Sequence, residues 1–166
     1  YCVDLEPGRS DGSYVKTRKG VCRLSIKLHG KSAHAGVNPD DGASAVVELA
    51  KWICRFADPA RRDNGYRVNF GVIKGGTAYN VVPDSAECDV DIRFDTPEDL
   101  QTAMTQFDAL QQHPFDQSVT AEIAVMGQTP PMVATENSKR LMRLLEEEGS
   151  LLDVDVKFVG TGGGSD

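Results

Sequence analysis

Apolar and polar residues alternate over four stretches of the chain. Between Val21 and His29, Cys22, Leu24, Ile26 and Leu28 are separated by Arg23, Ser25, Lys27 and His29, the period of two expected of a strand with one buried face. Tyr66, Val68, Phe70 and Val72 repeat that pattern between Tyr66 and Lys74, as do Ala86, Cys88, Val90, Ile92 and Phe94, and then Val119, Ala121, Ile123 and Val125. Four strands are predicted. Between the first two, Asp40 to Ala57 places Val46, Leu49, Ala50, Ile53 and Ala57 at helical spacing, with Asp40 or Asp41 as the opening cap. Ala45, Leu49, Trp52 and Phe56 make a second stripe, wider than packing on one sheet requires; it predicts either a protein partner or a roof over the core edge. A second helix opens with Thr96 as N-cap, Pro97 in first position and the acids Glu98 and Asp99 in its first turn. It turns Leu100, Ala103, Met104 and Phe107 inward and ends before His113-Pro114.

The order strand, helix, strand, strand, helix, strand predicts an α+β fold: the ferredoxin-like β-α-β-β-α-β arrangement, an antiparallel sheet with both helices on one face. Residues 20–127 would form this unit. Its first strand would lie centrally, antiparallel to the third, with Arg23 and Lys27 facing Glu87, Asp89, Asp91 and Arg93. Its second strand would lie at an edge, free to pair with another chain. The flanks, 1–19 and 128–166, read as pieces of another domain into which this unit is inserted. Tyr1 to Leu5 predicts a short strand followed by a loop from Glu6 to Gly12. Thr135 can cap a helix through Glu148 with Leu141, Leu144 and Leu145 inward and Gly149 as its stop, before a strand near Val154 to Val159.

A chain of 166 residues suffices for one domain with a core and is too short for two large ones. Its net charge of -7, with no clustering of lysine and arginine, argues against a nucleic-acid partner, which needs a basic stripe to neutralise phosphates. No apolar run approaches the roughly twenty residues that span a bilayer, so no membrane partner is expected. Cys2, Cys22, Cys54 and Cys88 form no C-x-x-C pair. Three of them fall on apolar faces and are expected to be buried free thiols.

Two glycine-bounded segments carry candidate chemistry: Gly30-Lys31-Ser32-Ala33-His34-Ala35-Gly36, and Gly75-Gly76-Thr77-Ala78-Tyr79-Asn80-Val81-Val82-Pro83-Asp84. Asn80 on its bent loop suits either left-handed backbone geometry or a polar contact. Arg93 beside Asp89 and Asp91 suits a cross-strand ion pair. Gly162-Gly163-Gly164-Ser165 by itself reads as a flexible linker. With Asp91-Ile92-Arg93, these segments resemble the dimerisation, or lid, domain of the co-catalytic zinc peptidases that include glutamate carboxypeptidase, aminoacylase and succinyl-diaminopimelate desuccinylase. The glutamate carboxypeptidase branch looks nearest, and the resemblance covers nearly the whole chain. Leu5-Glu6-Pro7 resembles that family's metal-ligand glutamate segment, and Gly162 to Asp166 its glycine-rich substrate loop.

The resemblance implies a homodimer built through the first helix and second strand. In it, His34 reaches the active site of the opposite protomer and stabilises the oxyanion formed at the scissile carbonyl. It further implies that Asn80, Arg93, Gly162, Gly163 and Gly164 contact the substrate, and that Glu6 binds one of two zinc ions. His29 and His113 are expected to be structural. The parent protein would be a metal-dependent hydrolase of an amide next to a free carboxylate, in a peptide or an N-acyl amino acid. This chain offers one zinc ligand and no general base, so alone it is expected to bind no zinc pair and to hydrolyse nothing. Two other classes share the architecture. One is a ferredoxin-like small-molecule-binding regulatory module, with His34 and Arg93 on one effector; the other is a purely structural assembly domain. The enzyme reading needs His34 exposed.

Overall fold

The structure, a computed structural model, describes residues 9–57 and 65–163. In chain order its elements are β1 (Tyr14–Arg18), β2 (Gly20–His29), α1 (Ala45–Ala57), β3 (Tyr66–Gly75), β4 (Ser85–Phe94), α2 (Pro97–Gln112), β5 (Thr120–Thr129), α3 (Glu136–Leu151) and β6 (Phe158–Thr161). The four predicted strands form one antiparallel sheet in the order β3-β4-β2-β5. The first of them is central and the second lies at an edge, as the alternation pattern implied. Tyr1 to Leu5, Glu6 and Gly164 to Asp166 lie outside the described residues.

Both α1 and α2 cover one face of this sheet. Cys22, Leu24, Ile26 and Leu28 of β2 and Ala86, Cys88, Val90, Ile92 and Phe94 of β4 are buried with Leu49, Trp52, Leu100, Ala103 and Phe107 from the helices. The rings of Phe56 and Phe107 stack at 4.2 Å and join the two helices. At the start of α2 the Thr96 hydroxyl accepts from the Asp99 amide at 3.2 Å, and the Asp99 carboxylate accepts from the Thr96 amide at 2.9 Å, a complete capping box.

Several local expectations are corrected. The helix predicted from Asp40 begins at Ala45. A short 3-10 turn spans Pro39–Asp41, and Lys31 and Ala43 exchange backbone hydrogen bonds at 2.9 and 2.8 Å, which keeps residue 43 extended. Ser44 caps the helix instead, its hydroxyl accepting from the Val47 amide at 3.2 Å. Trp52 is fully buried, so the second stripe of α1 roofs the core and Trp52 offers nothing to a partner. Cys22 and Cys88 are buried but Cys54 is exposed, because it falls on the outer side of α1. The third helix continues through Gly149 to Leu151. A Cβ at Gly149 would stand 2.5 Å from Val156 Cγ2, so this glycine permits close packing, while Asp153 at φ 60° takes the left-handed position that ends the helix. The last strand is Phe158–Thr161. It pairs in parallel with β1, a strand the alternation pattern did not reveal.

A buried carboxylate also escaped the pattern. Glu48 is 1% exposed. Its Oε1 accepts from Trp52 Nε1 and the Phe115 amide, both at 2.8 Å, and its Oε2 from the Asp116 amide at 3.0 Å. It ties α1 to the loop after α2, and its hydrogen bonds offset the penalty of burying a charge.

Candidate functional site

The two glycine-bounded segments fold against each other at one end of the sheet. β2 ends at Gly30, whose amide donates to the Asp84 carbonyl at 2.8 Å; a Cβ there would run into the Ala43 carbonyl oxygen. On the other side, Gly76 leaves β3 at φ +75°, a conformation that favours glycine. The loops then pair: His34 and Val81 form an antiparallel bridge, the Ala35 amide donates to the Asn80 carbonyl at 2.9 Å, and the Val82 amide to the Ala33 carbonyl at 2.9 Å. His34 and Asn80 are thus carried on one two-stranded loop unit, and both are exposed.

The His34 ring is oriented by its own loop. The Gly36 amide donates to Nδ1 at 3.1 Å, and the His34 amide donates to Asn38 Oδ1 at 3.3 Å. Asn38 in turn donates to Asp41 Oδ2 at 2.8 Å. A ring nitrogen that accepts carries no proton, so the neutral imidazole is the tautomer with its proton on Nε2. That N–H makes no hydrogen bond among the described residues. Asn80 is not a left-handed residue; among the described non-glycine residues only Asp153 has positive φ.

Arg93 lies at the other end of the sheet. Its Nε and Nη2 donate to the two oxygens of Asp91 at 2.6 and 3.0 Å, a planar fork-to-carboxylate pair that fixes the guanidinium. Arg93 lies eight residue steps along β4 from Ser85, where the loop end begins, which is about 26 Å at strand rise. The two groups therefore cannot share a small ligand within one chain. The Arg93 end is also where β2 enters the sheet, Gly20 being paired with Phe94. Just before it, Arg18 of β1 pairs with Thr161 and bridges Met132. A Cβ on Gly163 would lie 3.8 Å from Arg18 Nη1, so Gly162 and Gly163, which follow β6, lie close to Arg18.

Residues 16–118 match the peptidase dimerisation domain family. The chain belongs to that family. The whole of this dimerisation-domain chain aligns at 27% identity with carboxypeptidase G2 from Pseudomonas sp. (strain RS-16), covering 40% of that protein. Three quarters of it aligns at 30% identity with a p-aminobenzoyl-glutamate hydrolase homolog from Haemophilus influenzae, covering 29% of its length. Among solved structures, a tripeptidase from Staphylococcus aureus superposes on 91% of the chain and 40% of its own, with a TM-score of 0.78 and 26% identity. The dimerisation-domain chain spans less than half the length of each of these proteins.

Among the described residues of this dimerisation domain, no three His, Cys, Asp or Glu side chains come together to hold a metal ion. They do not by themselves fit a metal centre, and Nδ1 of His34 is already engaged by Gly36. His29 lies 3.6 Å from Glu122 across the β2–β5 pair, and His113 is the C-cap of α2. No described helix is long and apolar enough to cross a membrane.

Proposed function

We propose that this chain is the lid and dimerisation part, residues 20–127 with catalytic-domain flanks, of a metal-dependent hydrolase. The enzyme cleaves an amide next to a free carboxylate in an N-acyl amino acid or peptide. The observation that carries this reading is the separation of the two candidate groups to opposite ends of a sheet whose β3 edge pairs with no other described strand. A two-fold axis joins such an edge to its copy in antiparallel register. The Tyr66 end of one β3 would then lie beside the Gly75 end of the other. His34 and Asn80 from one protomer would face Arg93 and the glycine loop of its partner, closing a gap that no ligand bridges in one chain. In that composite site the free Nε2–H of His34 would donate to the carbonyl oxygen as negative charge develops there, Asn80 would donate beside it, and Arg93, held by Asp91, would take the substrate carboxylate. Zinc is the metal proposed, with Glu6 as one ligand.

Trans complementation in the full-length enzyme tests this. His34→Ala and Glu6→Ala proteins, each inactive alone, are refolded together. Random assortment makes half the dimers mixed, and each mixed dimer holds one intact site, so about a quarter of wild-type activity should return. No recovery, with mixed dimers demonstrated, would sink the trans arrangement.

A further inference from the structure

Three arginines and two carboxylates, Asp91 and Asp89, lie toward the Arg93 end of the sheet face turned away from the helices. Arg67 of β3 stands directly opposite Arg93 of β4, and Arg23 of β2 stands directly opposite Asp91. Their neighbours in sequence, Tyr66, Cys22, Leu24 and Ile92, are buried against the helices, so period-two alternation puts all four charged residues, and Asp89 with them, on the side turned away from the helices. Asp91 is committed to Arg93 by two hydrogen bonds. Neither Arg67 nor Arg23 makes a hydrogen bond or ion pair among the described residues. Side chains directly opposite across two strands have Cβ atoms about 4.5–5.5 Å apart, and like charges so placed repel. In a chain of net charge -7, three arginines against Asp91 and Asp89 leave a net positive site, and Arg93 within it is already held in a fixed orientation.

We propose that Arg67 is a specificity-determining residue that binds a second carboxylate on the substrate. This rests on the function proposed above. Arg93 takes the carboxylate next to the scissile amide, and Arg67, one strand away on the same face, takes the side-chain carboxylate of a glutamate or aspartate in the same leaving residue. Arg23 faces Asp91 and offsets its charge, so the acid that orients Arg93 does not repel the incoming dianion. An arginine on each of two paired strands matches two carboxylates carried by one small residue, and a guanidinium fork engages each of them with two parallel hydrogen bonds.

The test measures kcat/KM of the full-length enzyme on an N-acyl-glutamate and on the isosteric N-acyl-glutamine. Wild type should prefer the glutamate compound by tenfold or more, about the discrimination one charge-assisted contact supplies. Arg67→Gln should bring the ratio near one, chiefly through KM for the glutamate compound, and Arg67→Lys should leave an intermediate ratio. Arg67 is exposed, so thermal unfolding of both variants should match wild type. A wild-type ratio near one, or an Arg67→Gln variant that keeps the wild-type ratio, would overturn the proposal and leave the hydrolase function standing. Failure of wild type to cleave either compound would overturn both.

Discussion

The amide of Gly36 donates to Nδ1 of His34 at 3.1 Å, so a backbone group two residues away selects the tautomer of the exposed ring. Ring nitrogen NMR of the neutral protein should therefore show the proton on Nε2. His34→Ala should lower kcat of the full-length enzyme by about 10²- to 10³-fold, the effect of removing one oxyanion donor. Gly36→Ala keeps the amide and places its Cβ at an ordinary 3.7 Å from His34 Cε1, so it should stay active. Gly36→Pro, which lacks the amide, should lose activity and give a mixture of tautomers.

Glu48 should be the most costly polar substitution in the domain. Glu48→Ala strands three donors, the Trp52 indole and the amides of Phe115 and Asp116. At roughly 1–3 kcal/mol per unsatisfied buried group, the total is about 3 kcal/mol or more. Glu48→Gln keeps one accepting oxygen and should lose less. Urea unfolding monitored by Trp52 fluorescence measures both.

The proposed seam predicts which surface change makes monomers. Val47 on α1 is 52% exposed and Ile73 on β3 is 53% exposed, and Gly75 at the end of β3 packs against Val46, which sets the two elements side by side. Ile73→Asp combined with Val47→Asp should give a folded monomer by light scattering. Met126→Asp, on the opposite edge strand β5, should leave a dimer. The reverse result would move the seam to β5.

Burial, and to a smaller extent Asp89, push the Cys88 thiol up from 9.0 to about 12. The folded protein then holds this proton more tightly than the unfolded chain does, so the associated stability is complete below pH 9 and is lost as pH rises toward 12. Wild type should unfold at lower denaturant concentration at pH 10.5 than at pH 8, and Cys88→Ala should shrink that difference. Cys54, the exposed thiol, should react with a thiol reagent well before Cys88.

Alternation in β2, β3, β4 and β5 marked four strands, because half-buried strands must alternate; it gave the buried faces of β2 and β4 but not the ends of β3 and β5, where Val72 and Val125 are exposed beside shifts of register. The Thr96 cap was equally legible, since its parts lie within four residues. The start of α1 was not, because the Lys31–Ala43 pairing that holds residue 43 extended joins residues twelve apart. The burial of Glu48 was not legible, since the amides that satisfy it come from residues 115 and 116, and the stripe carrying Trp52 suited a partner or a roof over the core equally, because what covers it is remote in sequence. The motifs marked His34, Asn80 and Arg93 as candidates but said nothing of their spacing. Only the tertiary structure set His34 and Asn80 on paired loops and Arg93 a sheet length away, opposite Arg67. Strand pattern and caps are local and written in neighbouring residues; register, loop pairing and the distance between functional groups depend on contacts between remote segments, which no local pattern encodes.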